Sequence, residues 1–333
     1  MDLGGTKLSG AIVSAGGKLS HHRIVPLKGG QGPAVGELVL DQLRALLKAA
    51  AGQRRTLKAI AVAVPGISSG PAGHVWAPNI PGWKRYPLRR EIERALGKPA
   101  LPVVIESDRA CCILGEAWRG AARGCRDAIF LAIGTGIGAG ILVDGKVVRG
   151  AHGSAGALGW LALDQPFRRA YIRCGCFEHH ASGRGLAKIY LEVASAGRAS
   201  VPASPISVPR KRARGDACPP ETRSSSDIFT AYHQHDPAAR KVVAEAIQFW
   251  GMALANLVSI FNPEKVIFGG GVFGPAKRFL KNIRAEARKW AQPVAMKQVK
   301  LQPSALGADA GLYGAGYLAL CAAGELQPDF ESA

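Results

Sequence analysis

The stretch LAIGTGIGAGILVDGKVVRG (residues 131–150) carries the strongest fold signal in the chain, because its pattern occurs twice. A glycine-rich turn is followed by an apolar run, the dipeptide Asp144-Gly145 and a second apolar run. The stretch DLGGTKLSGAIVSAGGKLS (2–20) repeats this order with AGG between its two strands. A turn dipeptide flanked by apolar runs is the strongest short-range signal of a β-hairpin. We therefore predict that each half of the protein begins with a glycine-led hairpin.

A dinucleotide-binding turn is the main alternative for the second stretch. Residues 134–139 fit the G-x-G-x-x-A pattern, but that pattern requires a helix directly afterwards. Here the sequence ILVDGKVV follows, which predicts a hairpin, and the Walker pattern GxxxxGK[ST] is absent from the chain. The Rossmann interpretation is therefore disfavoured.

Helical and strand-like segments alternate along the chain. Apolar residues recur at the three-to-four spacing of helices in 37–50, 88–97 and 238–261. Apolar strand candidates lie at 57–66, 101–106, 128–133 and 265–271. Strands that alternate with helices predict an α/β fold.

Length and composition indicate a globular protein with room for two domains. The chain has 333 residues, of which 47% are hydrophobic and 20% charged. No run approaches 18 consecutive apolar residues, and the N-terminus lacks the features of a secretory signal, so no membrane span is expected. Seven cysteines without regular spacing favour reduced thiols and a cytoplasmic protein.

The formal net charge is +19, which suits either a nucleic-acid surface or a basic surface that favours anionic small molecules. The basic residues are spread along the chain without a helix-turn-helix or zinc-finger pattern, so nucleic-acid binding is not expected. Residues 195–226 are rich in Ser, Pro and Ala, and we predict a disordered insertion there. The basic run RKRAR (210–214) fits a partner-binding patch, but a solvated loop is the simpler interpretation.

Three glycine-rich turns follow strand-like runs, and together they predict a nucleotide held between two lobes. One such turn is weak evidence, because glycine also serves ordinary turns. Successive backbone N–H groups would form an anion cradle, and threonine hydroxyls would add donors. The predicted ATP-binding residues are Asp2, Gly4, Gly5, Thr6, Lys7, Gly134, Thr135, Gly136, Gly269, Gly270 and Gly271.

An acidic pair, Glu106 and Asp108, lies where a strand is predicted to pass into a helix. A carboxylate at a strand end can accept a proton from a substrate hydroxyl. The alternative is purely structural, with Asp108 as the N-cap of the following helix.

Seven motifs occur in the order typical of ROK-family sugar kinases, a family that also includes repressors: DLGGTK, VAVPG, APNIPGW, ESDRACCILGE, IGTGIGAGILVDGKVVRG, CFEHHASG and FNPEKVIFGGGVFG. The resemblance covers nearly the whole chain apart from 195–226. It implies an actin-like ATPase fold whose two α/β lobes close on a hexose, ATP and Mg²⁺. We expect a small lobe at 1–118, completed by a helix at 305–323, and a large lobe at 119–304.

The resemblance also implies roles for individual residues. Asp108 matches the catalytic base, Asn79 and Glu178 match contacts to sugar hydroxyls, and Asp2 lies in the phosphate and magnesium region. Relatives carry several more residues before DLGGTK, so we expect a start upstream of Met1 or a truncated chain. A shortened first strand would hold the hairpin less firmly.

The sugar site departs from the family pattern at three positions. Ala157 and Trp160 replace a Glu and a His that contact sugar hydroxyls, and Ser107 replaces an Asn. Two lost hydrogen bonds cost about 2–4 kcal/mol, or about 30- to 1000-fold in affinity. Trp160 either stacks on a sugar face or fills core space.

A structural zinc ion is not expected. Arg169 and Tyr171 stand where the family has two of its zinc-binding cysteines, and Trp160 replaces the histidine ligand, which leaves Cys176 of the four that a tetrahedral site needs. Cys174, Cys176, His179 and His180 offer a rebuilt site, but adjacent histidines rarely share one ion.

The sequence as a whole predicts a cytoplasmic sugar kinase with altered sugar recognition, and a homodimer by family default. Two alternatives remain: a non-catalytic sugar sensor, and a kinase for another substrate such as an N-acetylated hexosamine or fructose. The absence of a helix-turn-helix before Asp2 argues against DNA binding but leaves a protein partner open.

Overall fold

The computed structural model describes residues 1–69, 73–97, 101–199 and 224–327. Its strands are β1 (Asp2–Leu3), β2 (Lys7–Val13), β3 (Leu19–Pro26), β4 (Ile60–Val64), β5 (Ile67–Ser69), β6 (His74–Trp76), β7 (Val103–Ser107), β8 (Ala128–Ile133), β9 (Ile137–Val143), β10 (Lys146–Val147), β11 (Lys265–Gly269) and β12 (Lys300–Pro303). Its helices are α1 (Pro33–Gly52), α2 (Leu88–Leu96), α3 (Asp108–Arg119), α4 (Cys176–Ala181), α5 (Gly183–Ala199), α6 (Ser225–His233), α7 (Pro237–Phe261), α8 (Phe273–Ala276), α9 (Leu280–Ala287), α10 (Pro293–Gln298) and α11 (Ala310–Ala322).

Two five-stranded sheets share one topology. The first has the order β3-β2-β1-β4-β7 and the second β10-β9-β8-β11-β12. In each, the leading strand pairs antiparallel with the next strand of a hairpin and parallel with a later strand. Asp144 (φ 50°) and Gly145 (φ 75°) form the tip between β9 and β10, and positive φ at both positions is what a type I′ turn requires. The prediction of two glycine-led hairpins is confirmed.

The predicted α/β elements are present with shifted ends. Helix α1 begins at Pro33, four residues before the predicted start, because proline suits the first turn of a helix. Strand β4 covers only the centre of the predicted 57–66. Helix α8 begins at Phe273, two residues after the third glycine turn.

The predicted insertion at 195–226 is wrong at both ends. Helix α5 continues to Ala199, and α6 begins at Ser225 behind a Ser224–Asp227 capping box, in which each side chain accepts a hydrogen bond from the backbone N–H of the other residue. The remainder of that insertion and the RKRAR run lie outside the described residues.

Separate apolar cores support the two sheets. Leu3, Val39 and Trp83 belong to the core of the first sheet. Helix α7 lies in the core of the second, where Trp250 and Leu254 are fully buried. By length and hydropathy α7 would also suit a membrane span, but 56% of that window is buried inside the protein.

The C-terminal helix α11 packs against α3 and the first sheet. Ala61, Ala63, Cys111 and Ala315 form a small shared core. The two helices approach closely, since a Cβ atom at Gly314 would lie 1.8 Å from the carbonyl oxygen of Cys111. This packing brings the C-terminal end of the chain back to the sheet that contains the N-terminus.

A cavity of about 750 Å³ lies beside the short strand β1. Its walls come from β2, β4, α1 and α11, and include Ile12, Ile60, Leu43 and Leu312. Strand β1 pairs only with Leu8 and Ser9 of β2, although β2 continues to Val13. The cavity therefore follows the line along which β1 would run if it were longer.

Candidate active site

Asp108 lies at the carboxyl end of the first sheet, as the first residue of α3. Its neighbour Ser107 is the N-cap: the Ser107 Oγ accepts a hydrogen bond from Ala110 N at 3.2 Å. The alternative in which Asp108 caps the helix is therefore wrong. The Asp108 carboxyl accepts a hydrogen bond from Arg109 N of its own helix at 2.8 Å.

Two carboxyl groups share this end of the sheet. Asp2 pairs with Ala63 of β4, and Ala63 pairs with Glu106 of β7, so the ends of the parallel strands place Asp2 and Asp108 at one edge. Burial, together with the negative charge of Asp2, raises the pKa of Asp108 to about 7. Burial also raises the pKa of Asp2. Asp108 is thus able to take up a proton near neutral pH.

Glu106, the other member of the predicted acidic pair, is already bonded. Its Oε2 accepts a hydrogen bond from Arg149 Nε at 2.7 Å, and its Oε1 accepts one from Ser107 N. Arg149 follows β10 and was not singled out from the sequence, because the contact joins residues 43 positions apart. Glu106 is consequently less suited to act as a base than Asp108.

The first glycine turn, at Gly4–Lys7, closes the hairpin between β1 and β2. Gly4 N donates to Lys7 O at 2.9 Å, and the Thr6 and Lys7 side chains are exposed. A Cβ atom at Gly5 would lie 3.8 Å from Asn79 Cβ. The turn therefore brings a predicted phosphate-binding residue next to a predicted sugar-binding residue.

The second glycine turn, at Gly134–Gly136, is held by Glu178 and by α5. Glu178 Oε2 accepts a hydrogen bond from Ile137 N at 2.7 Å, and a Cβ atom at Gly136 would lie 2.7 Å from the same oxygen. Burial raises the pKa of Glu178. Gly183 N donates to Gly134 O at 2.8 Å. The Ser-Gly pair after CFEHHA is the sequence signal that could have identified Gly183.

The third turn, at Gly269–Gly271, lies against the second. Gly270 has φ 89°, and a Cβ atom there would lie 2.4 Å from Ile133 O. Only glycine combines that conformation with so close an approach. Gly271 N lies 3.8 Å from the position of a Cβ atom at Gly134. The two turns of the second sheet thus form one surface lined by backbone.

The two sheets meet across this site through Arg109 and Gly138. A Cβ atom at Gly138 would lie 2.7 Å from Arg109 Cδ. Arg109 follows Asp108 directly, and Gly138 follows Ile137, whose N–H binds Glu178. Asp108, the second glycine turn and Glu178 are therefore carried by segments that meet at the junction of the two sheets, here called the crevice.

Trp160 does not fill core space. Its side chain is 58% exposed, so the core-filling interpretation is wrong, and the ring is open to solvent or a ligand. Ala157 precedes the short turn of helix that carries it, Leu158–Trp160.

Around Tyr171, which stands where the family resemblance places a cysteine, the side chains form a hydrogen-bonded network. Tyr171 Oη donates to Asp164 Oδ2 at 2.8 Å and lies 2.8 Å from His180 Nε2. His180 Nδ1 lies 3.1 Å from Glu245 Oε1, and the His180 ring stacks on Phe249. Within the described ranges, no group of three or more His, Cys, Asp or Glu side chains is placed to hold a metal ion.

Comparison with known proteins finds matches along nearly the whole chain. The model of the ROK family matches residues 1–322. The glucokinase of Halalkalibacterium halodurans is 30% identical over 323 residues, which cover 96% of this chain and 93% of the relative. A ROK family glucokinase from Streptomyces griseus, solved with glucose and AMPPNP, is 28% identical with a TM-score of 0.71, covering 96% of this chain and 97% of that chain. A ROK family transcriptional regulator, described as a homologue of the E. coli MLC protein, is 27% identical with a TM-score of 0.79, covering 98% of this chain and 78% of that one.

Proposed function

Since the chain belongs to the ROK family and has the actin-like ATPase fold, we propose that it transfers the γ-phosphoryl group of ATP to a hydroxyl of a hexose or hexose derivative. The observation that carries the proposal is the half-buried Asp108 carboxyl, whose pKa of about 7 suits a general base at neutral pH. It borders the same crevice as the glycine turns.

In the proposed reaction, Asp108 accepts the proton of the sugar hydroxyl while that oxygen attacks the γ-phosphorus. The P–O bond to ADP breaks as the new P–O bond forms. Backbone N–H groups of the turns at Gly4–Lys7 and Gly134–Gly136 stabilise the charge on the transferring group. The Gly269–Gly271 turn lets backbone approach the adenosine.

The sugar would lie between Asn79 and Glu178, with Trp160 available to stack on one face and Ser107 behind Asp108. The Glu178 carboxylate is oriented by Ile137 N, which leaves Oε1 for a sugar hydroxyl. Closure of the two lobes would exclude water from this crevice.

Mg²⁺ would accompany ATP. The carboxylate oxygens of Asp2 are the hard donors that this ion prefers, and the Thr6 hydroxyl is exposed in the adjacent turn. When bound, the ion would neutralise charge on the β- and γ-phosphates.

We further propose a small lobe at 1–118 completed by α11 and a large lobe at 119–304, in a cytoplasmic homodimer. The packing of α11 on α3 and β4 supports this division. The odd number of cysteines supports the compartment.

The Asp108→Asn variant tests the proposal. Asparagine keeps the shape but cannot accept the proton, so kcat should fall about 10²- to 10⁴-fold. ADP release is measured across a panel that contains glucose, fructose, N-acetylglucosamine and N-acetylmannosamine. Asp41→Asn, an exposed carboxylate on α1, is the matched control. An Asp108→Asn enzyme with the full rate would falsify the assigned role.

A sugar-sensing protein without catalysis is the second candidate. The loss of the family's Glu and His at Ala157 and Trp160 favours it, because both changes weaken sugar contacts and leave the phosphate turns intact. ATP binding by calorimetry with no ADP release from any sugar would support the sensor and contradict the kinase.

A further inference from the structure

A cationic pocket of about 860 Å³ adjoins the candidate active site. It lies between α4, the N-terminal part of α5 and the segment that precedes α4. One carboxylate, Glu178, lines it. The pocket is also lined by four basic side chains: Arg169, Arg173, Arg184 and Lys188.

Most of this positive charge is unpaired. In the described part of the chain, no carboxylate oxygen lies within 4.0 Å of the guanidinium groups of Arg169, Arg173 or Arg184, whereas Lys188 lies 3.9 Å from Glu192. The neighbouring Arg168 differs, since it contacts Asp164 at 3.0 Å. Like charges gathered around one concave surface raise the local concentration of anions.

The pocket shares Glu178 with the crevice. Glu178 lines the pocket, and its Oε2 accepts a hydrogen bond from Ile137 N, next to the second glycine turn. Ser182 also lines the pocket, and the following residue, Gly183, donates to Gly134 O. A ligand that contacts Glu178 in the crevice would therefore lie beside the pocket.

We propose that this pocket binds an anionic substituent of the substrate, so that the preferred substrate is a sugar acid or a sugar phosphate. The inference rests on the proposed kinase function and specifies its substrate class. Ala157 and Trp160 remove polar contacts to sugar hydroxyls, while the arginines supply fork-shaped donors that match carboxylate and phosphate oxygens. The protein would then recognise a charged group of the sugar in place of its neutral hydroxyls.

The test compares each anionic sugar with its neutral parent. The pairs are glucuronate with glucose, galacturonate with galactose, and mannose 6-phosphate with mannose, with ADP release as the readout. At least one anionic member should have a kcat/KM about 10- to 100-fold above its parent, as expected for a charge-assisted hydrogen bond. The advantage should decrease as salt is raised.

Two arginine variants test whether the advantage of the anionic sugars comes from this pocket. Arg169→Gln and Arg184→Gln should each remove about 10-fold or more of the anionic advantage and leave kcat/KM for the neutral parent unchanged. Arg168→Gln, which removes the same charge from a side chain outside the pocket, should keep the advantage. Both target arginines are exposed, so folding should be unaffected.

The outcomes separate this inference from the kinase proposal. If neutral sugars are phosphorylated as efficiently as their anionic partners, or if neither variant has an effect, the proposed substrate class is overturned. The kinase proposal then still stands. If no sugar is phosphorylated, calorimetry with glucuronate and glucose decides: binding of glucuronate that depends on Arg169 and Arg184 supports the pocket, and equal or absent binding of both contradicts it. If inorganic tripolyphosphate competes with ATP but not with the sugar, the pocket binds the nucleotide's phosphates, which would also contradict the substrate role.

Discussion

At Asp108, two electrostatic effects oppose each other. The N-terminus of α3 favours a negative charge at this position, whereas burial and the charge of Asp2 disfavour it. Since the pKa is raised to about 7, burial is the larger effect. Ionised Asp108 therefore destabilises the folded protein. The same raised pKa suits a residue that accepts a proton at neutral pH.

This cost should be visible as a pH dependence of stability. In the unfolded chain, Asp108 ionises near pH 4, but in the folded protein it keeps its proton up to about pH 7. Its contribution to stability is full below pH 4 and is lost as the pH rises to 7, because the folded state then contains a poorly solvated carboxylate. Asp108→Asn should therefore be about 1–3 kcal/mol more stable than the native protein at pH 8 and equal to it near pH 4.

Urea denaturation at pH 4.5, 6 and 8 without nucleotide or metal measures this difference. Asp2→Asn is the matched variant: it removes the neighbouring charge and the raised pKa of Asp2 itself, so the stability lost between pH 4 and 8 should be smaller than in the native protein. A difference between Asp108→Asn and the native protein that is the same at all three pH values would contradict a raised pKa.

At the scale of elements, β1 is the weakest part of the first sheet. It occupies the centre of the sheet but has only two residues, and a cavity lies beside Met1, the residue that precedes it. The Met1 amine donates to Ala61 O at 2.7 Å, and burial lowers its pKa. A central strand this short leaves neighbouring strands without their full set of ladder hydrogen bonds.

Extending the chain before Met1 by four β-branched residues should stabilise it. An amide N–H would replace the buried amine as the donor to Ala61, and alternate valine side chains would contact Leu43 and Leu312 in the cavity. Burial of two valines contributes about 3–5 kcal/mol before the cost of ordering the backbone, so a net gain of about 1–2 kcal/mol is expected. Thermal unfolding should show a rise of several degrees.

A four-residue Gly-Ser extension is the control, since it supplies backbone groups without apolar side chains. It should raise the melting temperature by less than half as much. Equal melting temperatures for the valine-extended and native proteins would show that the cavity does not accept a strand.

The sequence was informative wherever the signal was local. The two hairpins follow from turn dipeptides and apolar runs, and the strand-to-helix junction at Asp108 follows from a change in period. The Glu106–Arg149 contact was not predicted, because it joins distant segments and depends on tertiary packing. The return of a C-terminal helix to the first sheet was expected from the family resemblance alone. Trp160 was ambiguous, since a tryptophan suits a core and a ligand site equally until its exposure is known.

At the scale of the whole molecule, the chain passes between the two sheets twice, after α3 and before α11. The buried carboxyl group of Glu116, on α3, contacts both passages. It accepts a hydrogen bond from Ala121 N at 2.6 Å in the first, and from Leu306 N at 3.2 Å and the Ser304 hydroxyl in the second. A single side chain thus contacts both connections between the two sheets.

Glu116→Gln should loosen both passages together. A carboxylate accepts hydrogen bonds at both oxygens, but a glutamine amide accepts at one and donates at the other, which places an N–H group against a backbone or hydroxyl donor. The variant should lose about 1–3 kcal/mol of stability, measured by urea denaturation. Hydrogen exchange should accelerate in 121–127 and in 304–309.

Ser304→Ala, the matched control, removes one donor and should affect only the second passage, at about 1 kcal/mol. If Glu116→Gln accelerates exchange in one passage alone, Glu116 is an ordinary buried acceptor and does not couple the two connections.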